Sequence, residues 1–81
     1  MKIYTITHVE VFDFEESIET KAYTDRLLAE AMFAAMKSKA RENDENDGWH
    51  IESDDDNYYE SYTDGSYAEN HCVIKLEEHE I

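Results

Sequence analysis

The chain contains no proline, two glycines and one cysteine in 81 residues, and each shortage removes a class of structure. So little proline and glycine leaves no Pro- or Gly-rich linker, and a chain this short makes one domain, in which folding hides only about 60 to 65% of the surface the open chain exposes. A single cysteine, Cys72, excludes an intrachain disulfide. The opening MKIYTITHVEVF reads as neither a signal nor a transit peptide, so a reducing cytoplasm is the expected location. No apolar run approaches the ~20 residues of a membrane span. Basic residues are scarce as well: Lys2, Lys21, Arg26, Lys37, Lys39, Arg41 and Lys75 are all there are. Four of them fall on one helical segment beside acids, which excludes nucleic-acid binding through a basic patch.

Acidic residues number 21, and the formal net charge is −14. Their distribution is lopsided. Residues 1–41 hold seven acids and six bases, whereas residues 42–81 hold fourteen acids and one base, Lys75. Between Glu42 and Gly65, in ENDENDGWHIESDDDNYYESYTDG, ten carboxylates occur in 24 residues with no Lys or Arg. Such a chain repels nucleic acid and anionic membrane and is drawn to basic surfaces, including those that bind nucleic acid. Trp49, six Tyr and three Phe are too many for a disordered polymer of this charge.

The pattern of residues predicts an α+β fold. Lys2 to Phe12 alternates β-branched, aromatic and polar types with neither face purely polar, as in a central strand, and Ser17 to Thr24 returns as its hairpin partner. Thr24 and Asp25 suit an N-cap and a first-turn acid, and Asp25 to about Glu42 lacks Gly and Pro, so a helix is expected there. Its apolar stripe reads as Leu28, Ala31, Met32, Ala35 and Met36, widened by Leu27 and Phe33, with Lys37, Lys39 and Arg41 in the last turns and Asn43 to Gly48 ending it. WHIES and YYESY read as short strands, and Asp64-Gly65 as a tight turn into a final strand whose Cys72, Ile74 and Leu76 face the helix. The layout is β-β-α-β-β-β, a small antiparallel sheet of four or five strands with one amphipathic helix across it.

Enzymatic chemistry finds little support in these residues. His8, His50, His71 and His79 are scattered, His71 and Cys72 point to opposite faces of a strand, and no C-x₂-C or H-x₃-H pair exists for zinc. Alignment of Gly48 with the glycine of a calcium loop makes Asn43, Glu45, Asp47 and Asp54 ligand positions, a partial fit with no second helix following. Weak divalent-ion binding near residues 43–56 is the most that this suggests. No serine lies in a G-x-S-x-G context and no isolated acid sits in an apolar run except Glu10, which suits the outer side of a strand. No catalytic residue, cofactor or dedicated metal site is expected.

The acidic half is the remaining feature, and its simplest reading is a solvated surface. Two observations favour more. Thirteen net charges equal those on about 22 Å of duplex DNA, and packing Asp54, Asp55 and Asp56 near Glu52, Glu60 and Asp64 creates self-repulsion beyond what solubility requires. In size, charge asymmetry and the run ENDENDGWHIESDDDNYYE, the chain resembles the small acidic α/β proteins with which phages and mobile elements block host nucleases, including anti-CRISPR and anti-restriction DNA mimics. The resemblance implies a non-enzymatic inhibitor whose acidic face fills the basic nucleic-acid channel of an enzyme such as a CRISPR effector. Asp44, Glu45, Asp47, Glu52, Asp54, Asp55, Asp56, Glu60, Asp64 and Glu69 would stand in for phosphates, with Tyr59 and Tyr67 as stacking anchors and Tyr58, Tyr62 and Trp49 toward the core. The expected partner is a basic protein. The alternatives are a general interaction module for a basic partner, and an acidic domain that binds divalent cations weakly.

Overall fold

The computed structural model describes residues 1–63 and 66–81, with the side chains of 66–69 outside the description. Five antiparallel strands form one sheet in the order β2-β1-β5-β4-β3: β1 (Lys2–Phe12), β2 (Glu15–Tyr23), β3 (His50–Asp54), β4 (Tyr58–Thr63) and β5 (Ser66–Glu80). Helix α1 (Arg26–Asp47) packs across one face. The predicted α+β layout therefore holds, with β1 an interior strand between β2 and β5. The body is elongated, 42 × 21 × 14 Å.

The β1–β2 hairpin closes through Asp13 and Phe14, both at positive φ (52° and 68°). That pair of left-handed residues matches the twist of the flanking strands, and a phenylalanine there is unusual. The Asp13 amide donates to Asn70 Oδ1 at 3.1 Å, tying the tip to β5. The expected Asp64-Gly65 turn lies outside the described residues.

Helix α1 starts one residue later than the sequence suggests and ends five residues later. Asp25, not Thr24, is the N-cap, with its carboxylate accepting from the amides of Leu27 at 2.9 Å and Leu28 at 3.2 Å. At the other end Gly48 adopts φ 76° and its amide caps the Asp44 carbonyl. The segment Asn43–Asp47 looks turn-forming by propensity, but tertiary contact overrides propensity here, because Asp44 reaches the core. Lys37, Lys39 and Arg41 thus sit in mid-helix, and the last turn holds no base.

The buried stripe also differs from the one predicted. It runs Ala29, Phe33, Met36, Ala40, Asp44 with Met32 beside it, whereas Leu27 is 76% and Leu28 49% exposed, and Ala31 and Ala35 face solvent. Small Ala29 and Ala40 let the helix backbone approach the sheet while Phe33 fills the gap between them. The core consists of Ile6, Phe33, Tyr59, Cys72 and Ile74, flanked by Met32, Met36, Trp49, Ile51 and Leu76. Cys72, Ile74 and Leu76 face the helix as the alternation predicts. The opposite sheet face, which carries Ile3, Thr5, Thr7, Val9 and Val11 of β1, is covered by no second layer among the described residues.

Candidate functional site

The fold distributes the predicted acidic residues over three environments. The first is the interior. Asp44 is 7% exposed and accepts a 2.5 Å hydrogen bond from the hydroxyl of Tyr59, which is itself fully buried. Burial, with the Asp44 carboxylate beside it, pushes the Tyr59 phenol well above its ordinary range. Tyr59 is therefore a core residue and no stacking anchor. Strand parity explains the exchange: Tyr59 and Ser61 point toward Cys72 and Ile74, which sends Tyr58, Glu60 and Tyr62 to the open face.

The second environment is the seam between α1 and the β3–β4 corner. Asp54 is held by Lys37 at 3.1 Å and Arg41 at 2.9 Å, and Glu45 by Arg41 at 2.9 Å. Lys37 also donates to the Asp55 carbonyl at 3.0 Å. These pairs pin the corner to the helix and take Asp54 and Glu45 out of the pool of free carboxylates. Asp55 and Asp56 remain exposed at the corner with no ion pair among the described residues.

On the open face a small network joins acids, histidines and tyrosines. His71 meets Glu60 at 3.0 Å, with side chains 14% and 15% exposed, and Tyr58 donates to Glu60 at 3.1 Å. Desolvation, aided by Glu60, raises the Tyr58 phenol. Next to them Glu52 contacts His50 at 3.0 Å and accepts from Tyr62 at 3.3 Å, while the His50 and Tyr62 rings stand 5.0 Å apart. Tyr58 and Tyr62, expected in the core, are thus part of an aromatic and acidic surface. Trp49 packs against the core as expected. Asp64, Tyr67 and Glu69 lie outside the described residues or side chains.

Compared with protein-family models, curated proteins and solved structures, the chain matches none.

A cleft of about 440 Å³ lies between the C-terminal half of α1 and strands β1 and β5, and Asp47 lines it together with Glu10 and Asp44. Cys72 Sγ stands 3.6 Å from His8 Nε2, and the same nitrogen is 3.8 Å from Glu10. Burial pushes the Cys72 thiol up to about 12, so it is a protonated packing group rather than a nucleophile. The candidate calcium loop is absent as a loop, since Asn43, Glu45 and Asp47 belong to α1, where Asn43 and Asp47 share a face and Glu45, two positions from each, points away from them. Among the described residues no three His, Cys, Asp or Glu side chains are placed to share a metal ion. The proximity of His8 to Cys72 depends on the β1–β5 register, which nothing in the local sequence reveals.

Proposed function

We propose that the chain is a non-enzymatic antagonist that binds the basic nucleic-acid-contacting surface of a partner protein, with a nuclease such as a CRISPR effector as the concrete instance. The observation that carries this reading is the fate of the bases. Six of the seven contact the chain's own carboxylates: Lys2–Glu78 at 3.6 Å, Lys21–Glu19 at 3.4 Å, Arg26–Glu30 at 2.8 Å, Lys37–Asp54 at 3.1 Å, Arg41–Glu45 at 2.9 Å and Lys75–Glu77 at 3.6 Å. Only Lys39 makes no such contact among the described residues. The charges left over are carboxylates, so the complementary partner is basic.

Charge spacing narrows the choice of nucleic acid. Fourteen net charges along 42 Å amount to one per about 3 Å, closer to the roughly 3.4 Å spacing of one strand than to the roughly 1.7 Å of a duplex. A channel that holds a single strand fits better than one that holds a duplex. The test is affinity capture at low and moderate salt, followed by competition with single-stranded and duplex oligonucleotides. Support would be a nucleic-acid enzyme lost with salt and displaced by the single strand. Retention of nothing specific, or of a partner indifferent to nucleic acid, would end the reading.

A second reading has its own observation. Phe12, Phe14 and Ile18 are 63%, 70% and 62% exposed around the β1–β2 hairpin, apolar side chains that a phosphate mimic does not need. It favours a general interaction module that joins a basic protein through charge and an apolar anchor together. Loss of capture on Phe14→Ser, with capture insensitive to oligonucleotide, would select that reading.

A further inference from the structure

The cleft beneath α1 combines features that a merely solvated groove lacks. Its floor is apolar, formed by Met36, Ala40 and Ile74, and its mouth carries the rings of Phe12 and Trp49. Its volume, about 440 Å³, falls within the roughly 300–1,000 Å³ of small-ligand pockets. Three carboxylates, Glu10, Asp44 and Asp47, line it from two different elements.

Asp44 is the decisive residue. It is more than nine-tenths buried, its Oδ2 accepts from Tyr59, and its Oδ1 accepts no hydrogen bond and meets no Lys or Arg among the described residues. Buried charges are ordinarily paired. This one instead sits in the last turn of a helix whose exposed carbonyls already concentrate negative potential, with no base in that turn to offset it. Asp47 and Glu10 deepen the same potential. Lys39 lines the cleft but forms no ion pair with these acids. Three carboxylates against one base, Lys39, leave the cleft net negative.

We infer that the cleft receives the side chain of one arginine projecting from the basic partner; the inference rests on the reading given above that the partner is basic. An arginine fits because its aliphatic stem can lie along Met36, Ala40 and Ile74 while its planar guanidinium offers several donors to the carboxylates and a face to the aromatic rings. A lysine ammonium is a point charge without that fork and matches the paired acids and rings less well.

Trp49 is the chain's one tryptophan and lines the cleft, so its emission reports occupancy directly. The whole chain would be titrated with N-acetyl-arginine amide and, at matched ionic strength, with N-acetyl-lysine amide. A saturable change with a Kd of about 1 mM is expected for the arginine compound, and weaker binding by about threefold or more for the lysine compound. The exposed pair Glu10→Gln and Asp47→Asn should weaken binding by about fivefold, and Lys39→Met should tighten it by about twofold. Glu78→Gln with Glu80→Gln removes the same charge at the far end of β5 and should change nothing. Absence of saturation, equal affinity for the two amides, or equal loss in the two double variants would overturn the inference. The parent reading fails differently: the arginine amide would still bind, but no nucleic-acid enzyme would be captured. If only the arginine site is wrong, capture survives in the Glu10, Asp47 variant and the amide gives no response.

Discussion

Tyr59→Phe is the most informative single substitution, because it deletes one oxygen at a fully buried position and leaves the rest of the ring in place. The lost group is the donor to Asp44 Oδ2. A hydrogen bond to a charged group contributes about 1.5–3 kcal/mol, and its removal leaves a desolvated carboxylate with no other donor. A destabilisation of about 2–3 kcal/mol follows, which for a domain of this size lowers Tm by roughly 10–20 °C. Asp44→Asn keeps an acceptor for Tyr59 and removes the charge, so it should cost less. In a double-mutant cycle with Tyr59→Phe, the coupling should reach about 1.5 kcal/mol. The pH dependence supplies a second test. Because folding raises the Tyr59 phenol above its ordinary value of about 10, its contribution is fully present below pH ~10 and is lost as pH rises toward the folded value. The gap in stability between wild type and Tyr59→Phe should therefore shrink between about pH 10 and 12 in urea melts. A Tyr59→Phe variant within about 0.5 kcal/mol of wild type at neutral pH would refute the assignment of a load on this bond.

Three further expectations concern the helix, the charge and the thiol. Phe33→Ala should cost about 3–5 kcal/mol in denaturant melts, while Leu27→Ser should stay within about 0.5 kcal/mol, and a cost of about 2 kcal/mol or more at Leu27 would restore the wider stripe suggested by the sequence. Added sodium chloride should raise Tm, because screening relieves the repulsion of a net charge of −14 more than it weakens the exposed ion pairs; a fall in Tm would mean that the pairs dominate. Cys72 should resist alkylation in the native state at neutral pH and react at a rate set by unfolding, since its thiol is buried and its ionisation is displaced upward to about 12. Rapid native-state modification would contradict that burial.

What could be read in advance depended on whether a signal was local. Alternation in KIYTITHVEVF and the face shared by Cys72, Ile74 and Leu76 are period-two patterns that survive in any register, and both appear in the fold. The end of α1 was obscured because Asn43, Asp44 and Asp47 favour turns locally, while a contact fifteen residues away, Tyr59 to Asp44, extends the helix. With that extension known, the stripe is legible: steps of four, three, four and four from Ala29 land on Asp44. Tyr58 and Tyr59 are adjacent tyrosines, so composition cannot assign either one to the core. Only the β4–β5 pairing does so. The acidic run likewise looked like one face, yet its members divide among the core, the helix seam and the open sheet according to the parity of the strand or the rotation of the helix.

The uncovered sheet face gives the carboxylates a second consequence, one of self-avoidance. Edge strand β2 and the bare face beside it present Val9, Val11 and Ile18 to any neighbouring copy, and an unshielded sheet of this kind invites stacking and edge-to-edge growth. Near the isoelectric point of about 4.3, the electrostatic barrier between copies collapses. Mild acid should therefore drive copies together through the face opposite the helix, and at neutral pH the same acidity keeps the molecule from selecting itself.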